Sequence, residues 1–74
     1  MTKKQKEILA QLNIYKEGAE ITNPFTGQSC YLDGKALAIY DYVKGCEWMN
    51  QSELADAITI FRELYPKEYM ILLD

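Results

Sequence analysis

The sequence predicts a mainly α fold: a compact bundle of three helices plus a short C-terminal helix, with a small β-hairpin or ordered loop between helices 1 and 2. Three observations carry that expectation. Apolar residues recur at helical spacing in three separate stretches: Ile8, Leu9, Leu12; Ala36, Leu37, Tyr40, Val43; and Leu54, Ala57, Ile58, Phe61. A residue able to cap free helix amides precedes each stretch, namely Thr2, Asp33 and Asn50. Between the first two stretches lie short runs containing Ile, Thr and Tyr, split by a turn containing Pro and Gly. With 74 residues the chain has room for a single small helical domain over 1–74.

The first helix is expected over residues 2–17. Thr2 and Gln5 stand in capping-box spacing, and Gly18 occupies the place of a C-cap glycine. Tyr15 extends its apolar stripe. Lys3, Lys4 and Lys6 fall in the first turn, where the helix dipole disfavours cations, so fraying is expected there.

Residues 20–22 and 29–32 suit a hairpin with a five-residue loop, Asn23-Pro24 and Thr26-Gly27 being turn dipeptides. Alternation puts Cys30 and Leu32 on one face and Tyr31 on the other. An isolated two-stranded ribbon is barely stable, so it must lean on the helices.

The second helix is expected over residues 35–44, capped by Asp33, stapled by Leu32 and Leu37, and closed by Gly45. It is apolar around most of its circumference, which marks it as the central element. Residues 46–49 then read as a tight link. Asn50 and Glu53 have capping-box spacing for a third helix, with Met49 and Leu54 placed as a staple. Its stripe runs to Pro66, which either ends that helix or opens a last short one at its first position. Tyr69, Met70, Ile71, Leu72 and Leu73 follow, and such a tail either docks on the core or meets a second copy of the chain.

Charge is uneven. Residues 1–17 hold four lysines against two glutamates, a net of +2, whereas residues 33–74 hold four cations against eight acids, a net of −4. That balance offers no basic face for duplex nucleic acid. The longest apolar run, residues 69–73, is far below the roughly 20 residues of a membrane span. Two cysteines and no signal-peptide pattern point to a cytoplasmic protein with reduced thiols.

The chain has no histidine, which removes the commonest general base and metal ligand. Cys30 and Cys46 stand alone, and no Gly-Lys-Ser/Thr phosphate loop occurs. The reading is therefore non-catalytic, with no cofactor and no metal. Six tyrosines and one tryptophan are more than so small a core can hold. Tyr and Trp suit interfaces because each joins a large apolar area to a polar handle. The expected contact surface is Tyr31, Tyr42, Trp48, Tyr65, Tyr69, Ile71 and Leu72, while Tyr15 and Tyr40 lie on apolar stripes and are assigned to the core.

Two resemblances add context. Residues 51–57, Gln-Ser-Glu-Leu-Ala-Asp-Ala, resemble the first helix of helix-turn-helix regulators, but Ile58-Thr59-Ile60-Phe61 follows where that motif turns. Asn23-Pro24-Phe25-Thr26-Gly27, followed by Leu37-Ala38-Ile39-Tyr40-Asp41-Tyr42-Val43-Lys44-Gly45, is similar to the small accessory proteins of bacteriophages, prophages and mobile elements. That group has no assigned activity, so no functional residue carries over; it implies a cytoplasmic protein of a bacterial host. The expected function is a protein–protein interaction module, self-associating or acting on a host or viral protein. The alternative is a DNA-binding transcriptional regulator with a degenerate helix-turn-helix.

Overall fold

The computed structural model describes residues 1–73. Its order is α1 (Lys3–Gln11), β1 (Ala19–Thr22), β2 (Ser29–Leu32), α2 (Gly34–Met49), α3 (Leu54–Leu64) and α4 (Pro66–Leu72). The fold is thus mainly helical, with a small antiparallel hairpin between the first two helices.

Helix α1 starts as its sequence dictates. Thr2 Oγ1 accepts from the Gln5 amide and Gln5 Oε1 accepts from the Thr2 amide, both at 3.1 Å. The helix then stops at Gln11, six residues short of the expected end, with Leu12 already extended. Asn13 and Ile14 are weak helix formers. Tyr15 instead gives its amide to the Gly34 carbonyl at 3.3 Å and its phenol to Asp41. Tertiary hydrogen bonds have displaced helix propensity here. The first turn is tied to α3: Lys4 pairs with Asp56 at 3.8 Å, and buried Gln5 donates to the same carboxylate at 3.0 Å.

Gly18 is no helix cap. A Cβ there would overlap the Leu32 carbonyl oxygen, and one at Gly34 would overlap the Tyr15 carbonyl. These two glycines let residues 13–18 cross directly over the junction between β2 and α2.

The hairpin pairs Ala19 with Leu32, Glu20 with Tyr31, Ile21 with Cys30 and Thr22 with Ser29. Leu32 is buried, Cys30 half-buried and Tyr31 exposed, the alternation expected of strand geometry. The connection spans residues 23–28, one more than expected. It is closed by the Asn23 amide to the Gln28 carbonyl at 2.7 Å and the Gly27 amide to the Asn23 carbonyl at 2.8 Å.

Helix α2 begins where expected, with Asp33 Oδ1 accepting from the Ala36 amide at 2.8 Å. It does not end at Gly45. A single glycine costs a helix only about 1 kcal/mol relative to alanine, and buried Cys46 anchors the next turn to the core. The true stop is Asn50, at φ 53°, where the Gln51 amide bonds the Cys46 carbonyl and the Asn50 amide bonds that of Glu47. This is a Schellman closure with Asn in the glycine position. Asn50 therefore ends α2 instead of opening α3, residues 46–49 are the last turn of α2 rather than a link, and Met49 is exposed rather than stapled. Helix α3 starts after Glu53 without a side-chain cap, helped by Asp56 in its first turn.

Tyr65 alone separates α3 from α4, whose first residue is Pro66. The C-terminal stretch docks on the core, with Leu72 only 5% exposed. The core gathers Leu32, Ala36, Ile39, Val43, Ala57, Ile60, Phe61 and Leu72. Phe61 is fully buried between the rings of Tyr40, at 6.1 Å, and Tyr65, at 5.9 Å, separations typical of favourable aromatic pairs. Helix α2 supplies much of this core as expected, yet α3 is the element that touches α1, α2 and α4. The apolar faces therefore converge on the α2–α3 pair.

Candidate interaction surface

The core-facing side of α2 carries Ala36, Ile39, Val43 and Cys46. At 3.6 residues per turn, Asp41, Gly45 and Trp48 fall on the opposite side, with Ala38, Met49 and Tyr42 along one flank of it. The segment leaving α1 crosses the N-terminal half of that outer side. Between them lies an open cleft of about 310 Å³ lined by Leu12, Asn13, Tyr15, Ala38, Asp41 and Tyr42. Tyr15 Oη donates to Asp41 Oδ2 at 2.7 Å across one wall. That bond to a carboxylate raises the Tyr15 pKa. Tyr15 is thus an exposed wall of the cleft rather than the core residue its stripe suggested.

Beyond Asp41 no described residue crosses the helix. A Cβ at Gly45 would meet open space, Trp48 is 88% exposed and Met49 64%. Burial, with further contributions from Cys46, Glu53 and Asp56, raises the Tyr42 pKa, consistent with its position between core and cleft.

The expected contact surface is only partly assembled. Tyr31 and Trp48 are exposed. Tyr42 is instead half-buried against the core from α2, while Tyr65, Tyr69 and Ile71 are half-buried and Leu72 lies inside the core because the C-terminal stretch packs on α3 and β2. Tyr65 donates to Asp33 at 3.3 Å, and the Arg62 guanidinium sits 5.9 Å from the Tyr69 ring. Leu72 is correspondingly unavailable to a partner.

Sequence reasoning passed over Phe25, which is 96% exposed at the hairpin tip. Its place in a Pro-Phe-Thr-Gly turn was the available signal, since turn residues face solvent. Three side-chain hydrogen bonds hold the tip's backbone. Asn23 Oδ1 accepts from the Phe25 amide at 2.8 Å, Thr26 Oγ1 from the Gln28 amide at 3.2 Å, and Asn23 Nδ2 donates to the Ile71 carbonyl at 3.0 Å.

Among the described residues no group of three His, Cys, Asp or Glu side chains is placed to hold a metal ion, and no helix is long and apolar enough to cross a membrane. Helix α3 runs unbroken through Leu64, with no turn after Ala57. Comparison with family models, curated proteins and solved structures returns no match to this chain.

Proposed function

We propose that this chain is a non-catalytic protein–protein interaction module whose contact surface is the outer side of α2. The observation that carries the reading is the adjacency of Trp48 and Met49, both exposed, beside an uncovered glycine at position 45. Tryptophan is the side chain most enriched among residues that dominate binding energy, and methionine adapts its shape to a partner. Gly45 leaves a flat floor on which a partner backbone can approach closely. The resemblance of residues 23–27 and 37–45 to accessory proteins of phages and mobile elements supports a host or viral protein as the partner in this reading.

A photo-crosslinking amino acid at position 48 tests this in lysate of the native cell, with position 35 as an exposed control on the same helix. An adduct formed from position 48, absent from position 35 and competed by unmodified chain, supports the proposal. Equal yields from both positions would sink it.

A further inference from the structure

We propose that the cleft between α2 and the segment leaving α1 seats an arginine side chain of the partner, held by the Asp41 carboxylate between walls that include Tyr15 and Tyr42. This names the partner's chemistry and rests on the reading that the outer side of α2 is the contact surface.

The lining of the cleft is rich in acceptors. Asn13, Tyr15 and Asp41 are all exposed there. Tyr15 has a single hydroxyl proton, and it is committed to Asp41 Oδ2 at 2.7 Å. Toward a ligand the phenol can therefore only accept, as the carboxylate does. Asn13 adds a side-chain amide that accepts as well as donates. Such a lining suits a group with several donors and no acceptor of its own.

The cleft also carries an unanswered charge. The ion pairs among the described residues engage Glu63, Asp56 and Glu47, so no cation of the chain neutralises Asp41. A neutral amide or hydroxyl would leave that charge unbalanced, whereas a cation balances it.

The walls favour a guanidinium over an ammonium. A guanidinium is planar and weakly hydrated, stacks on aromatic faces and engages a carboxylate through two parallel bonds. An ammonium is compact and strongly hydrated. Leu12 and Ala38 offer apolar surface to the arginine stem. At about 310 Å³ the cleft stands at the bottom of the range of about 300–1,000 Å³ for small-molecule sites, which suits one side chain. Asp41 and Trp48 are seven residues apart on the same side of α2, a rise of about 10 Å, so one extended partner segment reaches both.

Nuclear magnetic resonance titration of the full chain with N-acetylarginine N-methylamide, at constant ionic strength, tests the seat. The citrulline analogue, a neutral isostere, and the lysine analogue are the controls. One side chain supports only weak, millimolar binding. The expected result is a saturable shift of the Leu12, Asn13, Ala38 and Tyr42 amides, with citrulline weaker by about tenfold and lysine in between. Asp41→Asn should lose about tenfold in affinity for arginine, because hydrogen bonds to a charged group are about twice as strong as neutral ones. Its amide oxygen still accepts from Tyr15, and unchanged amide positions elsewhere check the fold.

Citrulline binding as tightly as arginine, unaltered affinity in Asp41→Asn, or shifts that never saturate would each overturn the seat. Lysine binding as tightly as arginine would overturn the choice of guanidinium. A failed titration beside a specific adduct at position 48 sinks this inference and leaves the α2 contact standing. A saturable response beside equal adducts at positions 35 and 48 sinks that contact and leaves the cleft as an arginine site.

Discussion

The side-chain amide of Asn23 donates to the carbonyl oxygen of Ile71 at 3.0 Å, joining the hairpin turn to the last turn of α4 across 48 positions of chain. That carbonyl lies beyond the reach of intrahelical donors, as the final four of any helix do. Asn23 is itself only 5% exposed, so the bond is shielded from water. The same side chain shapes the turn through the Phe25 amide.

Asn23→Ala should therefore cost about 2 kcal/mol, two net hydrogen bonds at about 1 kcal/mol each. Asn23→Asp keeps an acceptor for Phe25 but cannot donate to Ile71, and it should cost at least as much at neutral pH. Urea denaturation measures both. Faster hydrogen exchange at Tyr69 and Leu73 in either variant would locate the loss in α4, whereas unchanged midpoints would remove Asn23 from this role.

The same substitution should have opposite signs at different glycines. Gly34→Ala and Gly18→Ala force a methyl group into a backbone carbonyl, and each should cost more than about 2 kcal/mol. Gly45→Ala meets open space inside a helix and should stabilise by about 0.5–1 kcal/mol. Thermal unfolding of the three variants side by side is the check. Destabilisation by Gly45→Ala would contradict the continuous α2.

Asn50 allows the two possible helix boundaries to be told apart. As an N-cap it would accept Asp without loss. As the left-handed end of α2, at φ 53°, it should tolerate Gly but not Asp, whose charge faces the negative helix terminus. We expect Asn50→Gly to be neutral or slightly stabilising and Asn50→Asp to cost about 0.5–1 kcal/mol. Asn50→Ala costs about 1 kcal/mol, from the left-handed backbone rather than from a lost cap.

Alkaline pH should unfold the protein through its tyrosines. The pKa of Tyr65 is raised by burial and then by Asp33 and Glu68, that of Tyr42 by burial first, and that of Tyr15 by its bond to Asp41. A pKa higher in the folded than in the unfolded chain contributes stability that is complete below the unfolded value of about 10. That stability is lost as pH rises through the folded values. Tyrosinate absorbance should show these three titrating above the unfolded value of about 10, with the urea midpoint falling above about pH 10. Titration of Tyr15, Tyr42 and Tyr65 at the unfolded value in the native state would refute it.

What the sequence revealed was mostly local. Thr2 with Gln5 and Asp33 with Ala36 are partners three residues apart, and their geometry is set by spacing alone. Pro66 at the first position of α4 is equally local. The misplaced boundaries share another cause. Gly45 and Asn50 each serve either inside, before or after a helix, and only the burial of Cys46 decides which. The early end of α1 depends on Gly34 and Asp41, which no window around Tyr15 contains. For the contact surface, composition foretold surplus aromatics but not their side of the fold. Trp48 and Tyr31 stand out in solvent while Tyr65, Tyr69 and Ile71 lean on the core, a distinction set by where α4 lands.

That landing governs how the protein comes into being. Leu72 completes a core begun by Leu32, and Asn23 waits for a carbonyl far along the chain. The chain can form its first two caps early, but the ribbon, barely stable alone, lacks closure until position 72 arrives. Until it arrives, the inner face of the ribbon offers grease to any chaperone within reach.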